Sequence, residues 1–162
     1  MTLTIRPAKI GDAPFIVAAE KEIAQEPGYF CSQPSELSEL AVKQTIESIR
    51  GIYLVAEREG DVVGYAFLQP LHLQAICHVA QLHIGVRKGF QGKGIGTELM
   101  EALIAWAKQS AIIEKIELNV RASNSRAIAL YKKMGFHEEG RLKKRIKVKD
   151  GYIDDLLMAL LI

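Results

Sequence analysis

The chain has 162 residues, 49% of them apolar and 25% charged, with a formal net charge of +2. That length suits one domain with a sizeable core, and the composition is ordinary for a water-soluble globular protein. A charge so small gives no reason to invoke nucleic acid or a lipid surface, no uncharged apolar run reaches the ~18 residues of a membrane span, and residues 1–7 lack the apolar stretch of a signal peptide. The two cysteines, Cys31 and Cys77, are read as reduced thiols of a cytoplasmic protein. His72, His78, His83 and His137 have no ligand-like spacing, so no metal is expected.

Residues 3–6 alternate and stop at Pro7, which predicts a short edge strand. Asp12 is placed to cap a helix running to about Gln25, with Phe15, Ala18, Ala19 and Ile23 on its apolar face. Residues 26–30 and Gln33-Pro34 break that pattern into a loop. Ser35 opens a second helical pattern through Leu37, Leu40, Ala41, Ile46 and Ile49, ending at Arg50-Gly51. Two strand-like runs, 52–57 and 62–68, flank Glu59-Gly60-Asp61 and read as a hairpin. There follow a strand at 78–86, a helix at 95–110, a strand at 115–120 and a helix at 125–134 closed by Gly135. The end is a long hairpin, 136–148 and 152–161, turning at Asp150-Gly151. With no repeat and no linker, this order predicts an α/β fold of the α+β kind. Helices lie on the faces of a mixed sheet, in a single domain over 1–162.

The turn between the strand at 78–86 and the following helix carries the chemistry. Gly92, Gly94 and Gly96 remove the Cβ atoms that would hold a phosphate away from the amides, and the helix dipole favours an anion there. Lys88 and Lys93 add positive charge. A P-loop fails because Gly94 follows Lys93, and the dinucleotide fingerprint fails because its last glycine would fall on Thr97 or Leu99. The pattern Gln-x-x-Gly-x-Gly is met by Gln91, Gly94 and Gly96.

Here the chain resembles the GNAT superfamily of N-acetyltransferases, whose Gln/Arg-x-x-Gly-x-Gly/Ala loop wraps the pyrophosphate of acetyl-CoA. A second block agrees with the family's Asn-x-x-Ala-x-x-x-Tyr-x-x-x-Gly-Phe segment through Asn124, Ala127, Tyr131, Gly135 and Phe136. The resemblance implies a mostly antiparallel central sheet flanked by helices. It also implies direct transfer of an acetyl group from acetyl-CoA to a primary amine of a small molecule or protein. Ile84, Gly85 and Val86 would pair with the pantetheine arm through their backbone. Gln91, Gly92, Lys93, Gly94, Ile95, Gly96 and Thr97 would hold the pyrophosphate, with Asn124 a further contact. Tyr131 would protonate the departing thiolate.

Many relatives place a glutamate base where this chain has Gln81 or Asn119, neither of which can take a proton at neutral pH. His83 shares strand parity with Gln81 and Gly85, so it is the candidate base facing the acceptor; Glu117 shares parity with Asn119. Two other readings stay open: an acyl-CoA sensor without turnover, and a nucleic-acid module using the basic run Arg141, Lys143, Lys144, Arg145, Lys147 and Lys149. That run is read first as the solvated face of a strand, which makes nucleic acid the weaker alternative. Strand pairing through the terminal hairpin would suit a homodimer. The acceptor itself has no readable code, although the loop at 26–34 and the terminal hairpin are expected to shape its pocket.

Overall fold

The computed structural model describes residues 2–25 and 34–162, and among them seven strands form one sheet. They are β1 (Leu3–Pro7), β2 (Ile52–Arg58), β3 (Asp61–Pro70), β4 (Val79–Val86), β5 (Lys115–Arg121), β6 (His137–Val148) and β7 (Gly151–Leu161). Four α-helices cover it: α1 (Ala13–Ala24), α2 (Glu39–Ser48), α3 (Ile95–Gln109) and α4 (Ser125–Lys133). The strand order is β1-β2-β3-β4-β5-β7-β6, antiparallel throughout except for β4 beside β5. This is the mixed, mostly antiparallel sheet expected above, with β1 at one edge.

Strand periodicity sorts the side chains into two cores. Ala66, Leu68, Ala80 and Leu82 pack against Ile95, Leu99 and Leu103 of α3. On the opposite face Tyr53, Val55 and Tyr65 pack against Ile16, Val17 and Ile23 of α1 and Val42 of α2. The α4 helix stops where expected: Gly135 takes φ +97°, and the Phe136 N–H returns to the Tyr131 carbonyl at 2.9 Å.

Several local expectations are corrected. The buried stripe of α1 is Ala13, Ile16, Val17, Ala19 and Ile23, whereas Phe15 is 57% exposed. Asp12 stands at the helix start but does not cap it with its side chain. Its carboxylate turns back to the Lys9 N–H at 2.7 Å and to two guanidinium nitrogens of Arg6 at 2.8 and 2.9 Å. The α2 helix is capped by Ser38 rather than opened by Ser35, with the Ser38 hydroxyl accepting from the Ala41 N–H at 3.1 Å. Leu40 then falls on the solvent side, 65% exposed. The basic run lies in β6, but its register against β7 shifts between Leu142 and Ile146, and Lys144 takes φ +55°. The alternation is therefore broken by a bulge at Lys143 to Arg145. Cys77 is a free thiol. Cys31 and the loop at 26–33 lie outside the described residues.

Candidate active site

The two parallel strands part company soon after they meet. β4 pairs with β5 only over Val79–Gln81 against Lys115–Glu117. Beyond that point β4 stays with β3 as far as Val86, and β5 stays with β7 as far as Arg121, so a wedge opens between them. The Arg87 N–H donates to the Val63 carbonyl at 2.9 Å, which turns the odd-numbered amides of β4 toward β3. By alternation the amides of Ile84 and Val86 face the wedge. A parallel pair that is held on its outer sides only leaves backbone donors and acceptors for an extended ligand to use.

A cavity of about 690 Å³ fills this wedge and runs through the sheet, from the glycine turn on the α3 and α4 face to Glu20 and Ile23 of α1 on the other. Gly94 is the residue before α3 and takes φ +85°, a left-handed conformation that most side chains resist. No side chain caps the helix there, so the first amides of α3 remain available to an anion. Gly92, Gly94, Gly96 and Thr97 line the cavity. Gly96 also meets a packing need, since a Cβ there would lie 3.2 Å from Leu130 of α4.

Gln91 lines the cavity as well, while the side chains of Lys93 and Ile95 point elsewhere. The Gln91 side-chain amide donates to the Val86 carbonyl at 3.2 Å, and its oxygen accepts from Arg126 at 3.0 Å, buckling β4 to α4. The Lys93 ammonium lies over the Phe90 ring, 5.5 Å from its centre, and the Ile95 side chain is buried in the core at 2% exposure. Neither side chain lines the cavity, so only their backbones could meet a ligand in it. Asn124 lines the cavity and also caps α4, its side-chain oxygen accepting from the Ala127 N–H at 3.2 Å.

The α4 helix directs Tyr131 into the cavity wall, where its ring sits 6.0 Å from that of Phe136. Burial pushes the Tyr131 phenol up to about 12, so the hydroxyl keeps its proton. His83 also lines the cavity and stacks on Phe67 at 4.5 Å, which stacks in turn on Tyr53 at 4.6 Å. His83 stays exposed toward the cavity, and the protein atoms crowded around it move its pKa below the ordinary histidine value. Glu117 instead forms a surface ion pair with Lys115 at 3.0 Å.

On the α1 side of the sheet the wall continues through polar groups that no motif marked. Asn119 donates to the buried Asp155 carboxylate at 3.2 Å, and Arg121 is 6% exposed. The β6 bulge brings Arg145 to the same cavity. Glu20 enters from α1 with its carboxyl pushed up to about 7 by burial. Among the described residues no group of three histidine, cysteine, aspartate or glutamate side chains could hold a metal ion, and no helix is long and apolar enough to cross a membrane.

Comparison with known proteins agrees with this geometry. The model of the acetyltransferase (GNAT) family matches residues 18–136. An L-amino acid N-acetyltransferase of Escherichia coli, AaaT, is 31% identical over 144 residues, covering 87% of this chain and 89% of its own. A GNAT-family acetyltransferase structure from Streptococcus pneumoniae superposes with a TM-score of 0.91 at 28% identity, over 99% of this chain and 100% of that one. YncA of Salmonella typhimurium, solved with its cofactor acetyl-CoA, shares the fold with a TM-score of 0.89 at 21% identity, over 99% of this chain and 94% of that one.

Proposed function

The chain belongs to the acetyltransferase (GNAT) family and moves the acetyl group of acetyl-CoA onto an amine; from that premise we propose that the reaction runs through the wedge between β4 and β5. The pantetheine arm lies against the open amides of Ile84 and Val86 in place of the missing strand. The pyrophosphate rests on the amides of residues 92–97 at the start of α3, with Asn124 beside it. The thioester then lies between β4 and Tyr131. The amine approaches from the α1 side and attacks the carbonyl, whose oxyanion is met by a backbone N–H of the opened strand around Val86. The C–N bond forms, the C–S bond breaks, and Tyr131 donates its proton to the leaving sulfur.

The carrying observation is the three-residue parallel pairing that opens into a cavity reaching both faces of the sheet. It accounts for two substrates meeting from opposite sides. His83 and Glu20 are the titratable groups on the acceptor side that could accept the amine's proton. Arg121 and Arg145 in the same wall support an acceptor that carries a carboxylate, and L-amino acids, the substrates in the name of AaaT, fit that chemistry. We place the reaction in the cytoplasm, where acetyl-CoA is available, and take the single chain as the active unit. A homodimer paired through the β6 edge would bring cations such as Lys143 and Lys147 together.

The test is a panel of L-amino acids, spermidine and short peptides, with acetyl-CoA, read out as free thiol and as acetylated product by mass. Acetylation concentrated on carboxylate-bearing amines is expected. Binding of acetyl-CoA without thiol release for any amine would remove the proposed mechanism.

A further inference from the structure

We propose that Glu20 takes the proton from the incoming ammonium, so that the acceptor attacks as a neutral amine; this rests on the acetyl-transfer reading above. Glu20 lies among Ile16, Val17 and Ile23 on the buried side of α1, a place where the helix otherwise presents apolar residues to the sheet. It is half-buried, and it lines the cavity together with Tyr65, Phe67 and His83. Among the described residues Glu20 makes no hydrogen bond and no ion pair. A carboxylate kept from water without a partner is unfavourable, and it is retained most readily where a ligand supplies the counter-charge.

The surroundings fit a cation. Tyr53 faces Glu20 from β2 and Tyr65 from β3, and both phenols are held above the usual tyrosine value, so neither carries charge at neutral pH. His83 faces it across the cavity from β4. The α2 side packed on α1 presents Val42 and Ile46, which are apolar. Arg121 of β5, Arg126 of α4, Arg145 of β6 and Asp155 of β7 are the remaining charged groups of the wall. The stack Tyr53–Phe67–His83 supplies aromatic surface beside the carboxylate, the usual company of an ammonium group. Loss of water without a neighbouring cation raises the Glu20 carboxyl to about 7, the range in which a carboxylate serves as a base near neutrality.

The step balances. Glu20 takes one proton from the ammonium, and the neutral amine attacks the thioester carbonyl. The C–N bond forms and the C–S bond breaks, and the thiolate takes the Tyr131 proton. The surplus proton on the amide nitrogen passes to solvent, Tyr131 is reprotonated from solvent, and Glu20 returns its proton to solvent. The products are the N-acetyl compound, free CoA and one proton.

The experiment compares kcat/KM against pH for wild type, Glu20→Gln and His83→Ala, using the best L-amino acid from the panel. The wild-type profile should rise through about pH 7 and level off, following the Glu20 carboxyl. Glu20→Gln should lose the plateau and climb toward the acceptor's own pKa, with a deficit at neutral pH on the order of 10²- to 10⁴-fold. An acceptor that is already neutral at pH 7 should restore most of that loss. CoA affinity by calorimetry should be unchanged in Glu20→Gln. Its melting temperature should rise at pH 8 and hardly at all at pH 5. A carboxyl raised on folding favours the fold while protonated, and that advantage disappears as pH rises through about 7. His83→Ala should keep the wild-type limb. A Glu20→Gln enzyme with an unchanged limb, or a His83→Ala enzyme that loses it, would overturn the proposal. If the wild type acetylates no amine at all, the acetyl-transfer mechanism fails first, and this one with it.

Discussion

Gly85 of β4 lies opposite Tyr65 of β3, and the tyrosine ring fills the space that a side chain at 85 would need: a Cβ there would fall 2.6 Å from the ring and 2.7 Å from its hydroxyl. The glycine thus admits a fully buried aromatic beneath the strand that we propose holds the pantetheine arm. Gly85→Ala is expected to destabilise the protein by about 1–3 kcal/mol through overpacking. Tyr65→Val should relieve the clash, so the double variant will lose less than the sum of the two single losses. Denaturant melts of the four proteins measure this, and strict additivity would mean that the ring moves aside without cost.

Gly94→Asp should weaken CoA binding by tenfold or more, because its charge would face the phosphates at the start of α3. Its φ of +85° adds a strain of about 1–2 kcal/mol to the fold for a residue with a Cβ. Gly94→Asn shares most of that strain without the charge, and calorimetry with CoA should find it the tighter binder of the two.

Tyr131→Phe should lower kcat about tenfold or more and leave KM for acetyl-CoA little changed. With the phenol pushed up to about 12, the acid form persists below that value. The wild-type rate should therefore show no alkaline loss from this residue up to pH ~10. A wild-type limb near pH 9 that Tyr131→Phe abolishes would contradict the assignment.

Asp12→Asn removes the anion that two Arg6 nitrogens and the Lys9 N–H share, and should cost about 1.5–3 kcal/mol at pH 7. Arg6 holds the Asp12 carboxyl below its ordinary value. Its contribution is therefore present above the unfolded pKa and lost as pH falls through the folded one. Wild type and variant should converge in stability as the solution is acidified.

How much of this was legible in the sequence depended on how local each signal is. The turn at Gly92 to Thr97, Asn124 at a helix start and Gly135 at a helix end depend on neighbours a few residues away, and each sits where it was expected. Glu20 was not legible. Phe15 and Ala18 suggested an apolar stripe rotated by about one residue step, or roughly 100°. The sheet accepts Ile16 and Val17 instead, which turns Glu20 inward. The contact of Tyr65 with Gly85 depends on strand register, and the arrival of Arg145 depends on a bulge in β6. Neither follows from alternation alone.

The central claim is that CoA takes the place of a strand in the wedge beside β4. Amide hydrogen exchange with and without saturating CoA tests it directly. Slowed exchange is predicted at Ile84 and Val86, whose amides face the wedge, and at residues 92–97, with little change at Lys108 and Lys133 in the groove between α3 and α4. Binding that leaves Ile84 and Val86 exchanging at their free rates, or that protects the α3–α4 groove instead, would contradict it.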